Sequence, residues 1–248
     1  MPFRSNGEIV SSKKTVNDSD GWSTQTDWEN YQSISGLVIE NGVVKLGNLP
    51  DSLVSVYEFA DDTDTLIDSV GAFNGTLFNN PTFNGDSYTF NGVDQYADVP
   101  YEVLGDREDF SVAVRFSSTN TDRGALFGFR TGDGSVAWLI ENRDGGEMTL
   151  SRFPASNIEG GPNLMDGNDH LVVATEDSNG AELYYDNANL VGVEGGDINF
   201  PTTDPSVARR GGGGGDDRYF AGTINEIRTY DKVLSESEIS NLYQLGGI

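Results

Sequence analysis

Apolar and polar residues alternate along most of the chain after residue 53, in short runs separated by Gly, Asn and Asp. The clearest runs each place their apolar side chains on a single face: Phe110, Val112, Val114 and Phe116; Val136, Trp138 and Ile140; Leu183 and Tyr185. Alternation with period two predicts half-buried strands, and turns at this spacing are typical of antiparallel sandwiches and jelly rolls. We therefore expect an all-β, antiparallel jelly-roll sandwich with Trp138 in its core.

The end of the chain carries the one helix that the pattern predicts. A strand pattern over residues 223–230 runs into Ser235 and Glu238, which have the S-x-x-E spacing of a capping box. Leu234 and Ile239 stand at the two positions of a hydrophobic staple. A short C-terminal helix is therefore expected to follow the last strand.

The first fifty residues differ from the rest. Residues 36–46 indicate two short strands around Asn41-Gly42, a strong hairpin signal, and residues 48–51 resemble a turn. We expect residues 1–50 to form an N-terminal arm with a hairpin and residues 51–248 to form the jelly roll. Two interpretations stay open: the arm docks the domain on a larger assembly, or the hairpin is simply an addition to the jelly roll.

The net charge of the chain indicates the environment in which the protein works. Its 248 residues carry 40 acidic and 15 basic side chains, only four of them Lys, for a net charge of -25. Such a surface suits concentrated salt, where the Debye length falls to about 3 Å at 1 M and self-repulsion is screened. We expect a halophilic, archaeal origin; the alternative is an acidic secreted bacterial protein.

The same composition excludes several classes of protein. Nucleic-acid binding needs a basic footprint, which this chain lacks. The absence of cysteine excludes disulfides and thiolate metal sites. No apolar run approaches the length of a membrane span.

Several short motifs, in order, resemble those of LamG-like, concanavalin A-like jelly-roll domains. They are V-Y-E-F at 56–59, F-N-G-V-D-Q-Y at 90–96, D-G-N-D-H at 166–170, L-Y-Y-D-N at 183–187 and the closing strand and helix at 220–247. Together they extend over residues 53–248. Because such domains are usually sugar- or surface-binding modules, the resemblance implies a recognition function.

The resemblance also implies a calcium ion between the opening strands and the last strand. Asp68, Asn91 and Glu226 stand where its ligands would be, although Asn225 stands where the family commonly has Asp. Calcium prefers about six to eight oxygen ligands, which carboxylates and amides supply. The alternative is that these residues belong to the acidic surface.

Catalysis is not predicted. The single histidine, His170, starts a core strand and is interpreted as structural. Glycosidases need two carboxylates that flank the scissile bond, and the E-x-D-x-E run of enzymes that resemble this fold is absent. Glu141, Asp144 and Glu147 straddle an Asp-Gly-Gly turn and are expected to splay.

Sugar binding requires aromatic platforms beside polar groups. The candidates for exposed ligand-binding residues are Tyr96, Arg143, Asp144, Tyr184, Arg209, Arg210 and Tyr219. The basic members are expected to meet an acidic glycan or glycoprotein coat, or else to form local salt bridges with the many carboxylates. The tract Gly211–Gly215 beside them is interpreted as a linker between strands or as a loop that adapts to a partner.

These observations predict a non-enzymatic adhesion module on the surface of a halophilic virus, as a spike, turret or tail-fibre subunit. The N-terminal residues carry no export signal, which lytic release of virions would make unnecessary. The expected partners are a host surface glycan or S-layer glycoprotein and other virion proteins, with a homo-oligomer of three or more subunits. Two alternatives stay open: a capsid decoration protein without a ligand, and a glycan-processing enzyme.

Overall fold

The computed structural model describes residues 52–59, 64–70, 73–105, 107–196, 198, 203–211 and 218–245, together with four short strands before residue 47. The described strands are β1 (Phe3–Ser5), β2 (Glu8–Val10), β3 (Leu37–Glu40), β4 (Val43–Leu46), β5 (Leu53–Tyr57), β6 (Thr65–Leu66), β7 (Gly75–Phe78), β8 (Thr82–Phe83), β9 (Tyr88–Asn91), β10 (Tyr96–Asp98), β11 (Phe110–Ser117), β12 (Gly124–Arg130), β13 (Ala137–Asn142), β14 (Met148–Phe153), β15 (His170–Asp177), β16 (Gly180–Tyr185), β17 (Asn189–Gly195), β18 (Ser206–Val207) and β19 (Ala221–Tyr230). A 3₁₀ turn spans Tyr101–Val103, and the helix α1 spans Glu236–Leu245.

Two antiparallel sheets form a sandwich, which confirms the predicted fold class. The seven-stranded sheet has the order β14-β13-β12-β18-β10-β7-β6. The eight-stranded sheet has the order β17-β16-β15-β11-β19-β9-β8, and β5 also pairs with β19. The long strand β19 pairs with β9 near its start and with β5 near its end, so it ties the opening of the jelly roll to its close.

The main core lies between the two sheets, where the alternation placed it. Phe110, Val112, Val114 and Phe116 are all at most 1% exposed and belong to one apolar cluster. Trp138 is also fully buried, and its indole N–H donates to Glu176 Oε2 at 2.9 Å. The buried indole therefore has the hydrogen-bond partner that its polar atom requires.

A second, smaller core lies under α1, on the far side of the eight-stranded sheet. The helix begins with the predicted capping box: Glu238 Oε2 accepts from the Ser235 N–H at 2.9 Å, and Ser235 Oγ accepts from the Glu238 N–H at 3.4 Å. Leu234 and Ile239 are buried in the same cluster as Leu242 and Tyr230. The apolar face of the helix thus covers the last strand.

The N-terminal hairpin is also confirmed. Strands β3 and β4 pair antiparallel from Leu37↔Leu46 to Glu40↔Val43, around the Asn-Gly pair. Apart from β1–β4, residues 1–50 lie outside the described residues, as do residues 212–217 with most of the glycine tract. Of the helices that the structure describes, none has the length and apolar character needed to cross a membrane.

Candidate functional site

The outer face of the seven-stranded sheet, which points away from the main core, collects most of the predicted ligand-binding residues. Strand register pairs Tyr96 with Phe78 on one side, and Glu141 with both Ala125 and Thr149 on the other. Their chain neighbours Ala97, Ile140 and Leu150 belong to the main core, so these side chains point outwards. Tyr219 bridges the two groups, because its backbone pairs with both Arg209 and Ala125.

Glu141 lies beside a charged pocket on this face and pairs with Arg123 and Arg143, two residues that line it. Its side chain is fully buried, and its carboxylate accepts hydrogen bonds from Arg123 Nε at 3.1 Å and Arg123 Nη2 at 2.6 Å. Ser151 Oγ donates a third, short hydrogen bond to it. A bidentate guanidinium–carboxylate pair fixes both partners in one plane, so Arg123 is held rigidly.

Arg143 forms the wall beside this pair. Its Nε lies 3.5 Å from Glu141 Oε1, and its Nη2 donates to Ser151 Oγ at 3.2 Å and to Glu159 Oε1 at 3.1 Å. Arg123 and Arg143 therefore form ion pairs with carboxylates of this chain. For Arg143, this agrees with the second of the two interpretations given above, a local salt bridge.

The hairpin between β13 and β14 positions the rim of the pocket. Arg143 N–H donates to the Glu147 carbonyl at 2.8 Å, which brings the two residues opposite each other across the turn. Gly146 has a φ of 84°, and a Cβ there would collide with the Asn163 side chain. Only glycine fits this position, and Asp144 at the tip accepts from the Arg123 N–H at 3.3 Å.

The resulting outer-face pocket has a volume of about 270 Å³ and is lined by Arg123, Arg143, Asp144, Glu147, Thr149 and Glu159. Thr149 is fully buried, and its hydroxyl has no hydrogen-bond partner among the described residues. An unsatisfied buried hydroxyl costs about 1–3 kcal/mol, and a bound water or ligand that pairs with it removes that cost. This hydroxyl is the strongest indication that the pocket takes a polar occupant.

Tyr96 lies on the same face, but both faces of its ring are covered. Phe78 stacks on it from β7, with ring centroids 4.5 Å apart and planes 13° apart. The Arg209 guanidinium carbon lies 3.6 Å from the Tyr96 centroid. Because β10 lies between β7 and β18, these partners cover opposite faces of the ring. The predicted sugar platform is therefore filled by the chain's own side chains.

Two hydrogen bonds fix the position of the Arg209 guanidinium group. Its Nη2 donates to Asp98 Oδ1 at 2.9 Å and to Ser206 Oγ at 3.1 Å. Tyr219 packs against the Tyr96 ring at a centroid distance of 6.2 Å. Arg210 is half-buried next to them, and its backbone N–H donates to the Arg218 carbonyl at 3.0 Å. Phe78, Tyr96, Arg209 and Tyr219 form an aromatic–arginine stack on the outer face.

Tyr184 lies in β16 of the eight-stranded sheet, and the expectation that it points into solvent was wrong. It does turn away from the main core, but α1 covers that side of the sheet, and the side chain is 3% exposed in the second core. Its hydroxyl donates to Glu182 Oε2 at 2.6 Å, and burial together with that carboxylate raises its pKa above the usual value. Tyr184 stabilises the helix rather than facing a ligand.

The three predicted calcium ligands are each engaged in the fold. Asp68 Oδ1 accepts from the Val56 N–H at 2.9 Å and the Val70 N–H at 3.1 Å, which fixes the first turn of the jelly roll. Asn91 Oδ1 accepts from the Val93 N–H at 2.9 Å, as the cap of a tight loop.

Glu226 is paired with Arg228 through two hydrogen bonds of 2.8 Å. Burial acts to raise its pKa, but the Arg228 charge and hydrogen bonds outweigh burial and lower it. Within the part of the chain that the structure describes, no group of three or more acidic or histidine side chains could hold a metal ion. The calcium site stays a prediction, without a set of converging ligands there.

Of the six pocket residues, only Arg143 and Asp144 were predicted as binding residues, and Glu147 was considered only as a catalytic carboxylate. Arg123 directly precedes β12, whose pairing with β13 brings it next to Glu141, and Glu159 follows β14 and reaches Arg143. Thr149 lies in a strand pattern, where the alternation with Leu150 could have placed it on the outer face. Its missing hydrogen-bond partner is visible only in three dimensions.

Comparison with known proteins gives the family context of this arrangement. A family model described as the concanavalin A-like lectin/glucanases superfamily matches residues 91–240, which include all six pocket residues. No curated protein sequence matches the chain significantly.

Solved structures with similar folds share little sequence with this chain. A Trypanosoma rangeli sialidase mutant with trans-sialidase activity aligns with a TM-score of 0.67 and 15% identity, over 90% of this chain and 38% of the sialidase. Domain 4 of a Geobacillus stearothermophilus GH43 arabinanase, in complex with arabinotriose, aligns with a TM-score of 0.58 and 19% identity, over 78% of this chain and 98% of that domain.

The binding domain of botulinum neurotoxin DC, in complex with rat synaptotagmin II, gives a TM-score of 0.55 and 15% identity, over 79% of this chain and 52% of that one. At these identities the likeness shows the fold alone. The chain thus spans 38% of the length of the sialidase that it resembles.

Proposed function

Because the chain belongs to the concanavalin A-like lectin/glucanases superfamily, we propose that it is a non-enzymatic module that recognises a carbohydrate on a surface. The outer-face pocket is the proposed binding site. The observation that carries the proposal is the fully buried Thr149 hydroxyl, which lines a polar cavity without a partner among the described residues. The arabinanase domain of similar fold is in complex with a trisaccharide, which supports a sugar as the ligand.

The state of Glu141 supports binding rather than catalysis. A glycosidase needs two carboxylates that can reach the sugar, one of them as a proton donor. Glu141 already binds Arg123 through both of its oxygens, together with Ser151, and its side chain has no exposed surface. These contacts leave it little hydrogen-bonding capacity for a substrate.

We further propose that the module acts on the surface of a virion in a high-salt environment, as a spike, turret or tail-fibre subunit. The net charge of -25 supports the high-salt setting. The N-terminal arm would hold the domain on other virion proteins in a homo-oligomer, and the sandwich would face a host glycan or S-layer glycoprotein.

The binding proposal is tested by sedimentation of the purified full chain with haloarchaeal envelopes in molar salt, with and without a calcium chelator. Co-sedimentation is expected, and it should be reduced by soluble envelope oligosaccharides. Loss on chelation would establish a calcium requirement. A folded protein that stays in the supernatant would contradict the recognition role.

A structural role in a capsid is the second candidate, and one observation favours it. The edge strand β17 exposes Leu190 by 47% and Val193 by 57%, and exposed apolar edges can pair with other chains. Assembly of the purified chain into particles, without any envelope binding, would favour this candidate over carbohydrate recognition.

A further inference from the structure

The composition of the outer-face pocket decides which class of sugar it can hold. Two guanidinium groups, from Arg123 and Arg143, meet the carboxylates of Asp144, Glu147 and Glu159 around the opening, and Glu141 lies beside them. Carboxylates therefore outnumber guanidinium groups by four to two. An anionic group that enters the pocket is repelled more than it is attracted, in a chain that is strongly acidic already.

The two arginines do not reverse this balance. Arg123 is paired with Glu141 through two hydrogen bonds, and Arg143 donates to Glu159 at 3.1 Å. Each guanidinium group thus faces a carboxylate of this chain before any ligand arrives. An acidic sugar would have to compete with these carboxylates, which are held at short distance and fixed geometry.

The same wall suits hydroxyl groups. Hydroxyls both donate and accept hydrogen bonds, so neighbouring hydroxyls of one sugar can donate to a carboxylate and accept from a guanidinium group. Glu147 is half-buried at the opening, and its carboxylate accepts no hydrogen bond within the described chain. The Thr149 hydroxyl at the base also lacks a partner there. The pocket therefore offers both an acceptor and a hydroxyl that are not yet satisfied.

Building on the proposed carbohydrate function, we infer that the pocket selects an uncharged sugar residue and excludes anionic ones. The sugar hydroxyls bind Glu147 and the Arg143 guanidinium group, and one of them pairs with Thr149 Oγ1. The volume of about 270 Å³ lies near the lower limit of small-molecule sites, which fits one sugar unit rather than a long chain. Thr149 is thus a binding residue of this site, and the surrounding carboxylates determine its specificity.

The experiment compares the full chain on a panel of uncharged, sialylated and sulfated oligosaccharides of matched backbone, at the lowest salt concentration at which the chain stays folded, because molar salt would screen the repulsion under test. We expect binding to an uncharged member, with affinity for its anionic counterparts lower by about tenfold or more. Stronger binding of a sialylated or sulfated member would overturn the inference while leaving carbohydrate recognition intact. Binding to no member, by a folded protein, would instead count against the proposed function itself.

Two variants locate the effect in the pocket. Thr149→Val keeps the shape of the side chain and removes an unpaired hydroxyl, so its thermal stability should be unchanged or higher. Its affinity for the uncharged sugar should fall roughly fivefold, the equivalent of one neutral hydrogen bond. Unchanged affinity would overturn the role of Thr149. Thr82→Val, at an exposed position on the other sheet, is the matched control and should alter neither property.

The variant Glu147→Gln tests the electrostatic part separately. The amide oxygen still accepts a hydrogen bond but carries no charge, so binding of the uncharged sugar should weaken, while binding of anionic members should improve. Weaker binding of anionic members in this variant would contradict exclusion by the carboxylates.

Discussion

Two arginine–glutamate pairs, one between the two sheets and one on the outer face of the seven-stranded sheet, have different roles. Arg152 and Glu176 join the two sheets inside the sandwich, with Arg152 Nε donating to Glu176 Oε2 at 3.0 Å. Arg123 and Glu141 form a similar bidentate pair on the outer face. The first pair is 1–2% exposed, whereas Arg123 keeps 21% of its side chain accessible.

The difference lies in what surrounds each pair. Arg152 Nη1 donates to the Glu194 carbonyl at 3.1 Å and its Nη2 to the Gly196 carbonyl at 2.6 Å. Trp138 donates to Glu176 Oε2 at 2.9 Å. Every polar group there is satisfied by the chain. Beside Arg123 and Glu141 lie a cavity and the unpartnered Thr149 hydroxyl. An ion pair whose polar groups are all satisfied by the chain indicates a structural role. An ion pair beside a cavity and an unpaired hydroxyl indicates a binding site.

The largest expected effect comes from breaking the internal pair. Arg152→Ala leaves the Glu176 carboxylate buried without its counter-ion, and we expect the free energy of unfolding to fall by about 3–5 kcal/mol. Denaturant titration in constant salt measures it. The double variant Arg152→Met/Glu176→Leu removes both charges and should recover much of the loss. A single variant as stable as the wild type would contradict the structural role.

A smaller effect is expected from the outer pair. Glu141→Gln keeps a hydrogen bond from Ser151 but removes the charge that holds Arg123 and Arg143. Because both arginines are partly exposed, water can solvate them, and the loss of stability should be about 1–3 kcal/mol. Affinity for the sugar should fall more than in Thr149→Val, since both walls of the pocket lose their position. Intact sugar affinity in this variant would remove Glu141 from the site.

The smallest expected effect on stability comes from His170, whose charge depends on pH, unlike the charges of Arg123 and Arg152. His170 Nδ1 lies 3.0 Å from Asp186, and its Nε2 lies 3.0 Å from Asp166. Burial acts to lower the pKa of His170, but the hydrogen bonds and charges of the two carboxylates outweigh burial and raise it.

A raised pKa in the folded state fixes the sign of the pH dependence. The contribution of His170 to stability is fully present below its unfolded pKa of about 6.5 and is lost as pH rises through the folded value. The arginines keep their charge throughout this range. Unfolding by denaturant at a series of pH values should show this decline, and His170→Gln should flatten it. A wild-type stability that rises over the same interval would contradict the sign.

The fold could be predicted from the sequence because its information is local. The alternation of Phe110 to Phe116 and the spacing of Ser235 and Glu238 each fix an element without reference to the rest of the chain. Tyr184 shows the limit: alternation placed it away from the main core, but whether that side is solvent or covered depends on where α1 packs.

The candidate site could be predicted only in part, for the same reason. Arg143 and Asp144 were found because charged residues at a turn are exposed, while Arg123 and Glu159 reach them only through tertiary contacts. Tyr96 was predicted as a platform, yet Phe78 and Arg209 occupy both of its faces. Sequence periodicity tells which face a side chain takes, and it does not tell which neighbours fill the space above it.

The central claim is that the outer-face pocket is where this lectin-like chain binds a sugar. The most direct measurement is an NMR titration of the isotope-labelled full chain with the best-binding oligosaccharide of the panel. We expect the largest shift changes at Arg123, Arg143 and Thr149, while the signals of Arg152 and Tyr184 stay in place. Saturable binding whose shift changes centre on the β17 edge or on the loop at Val93, with the pocket unaffected, would contradict it.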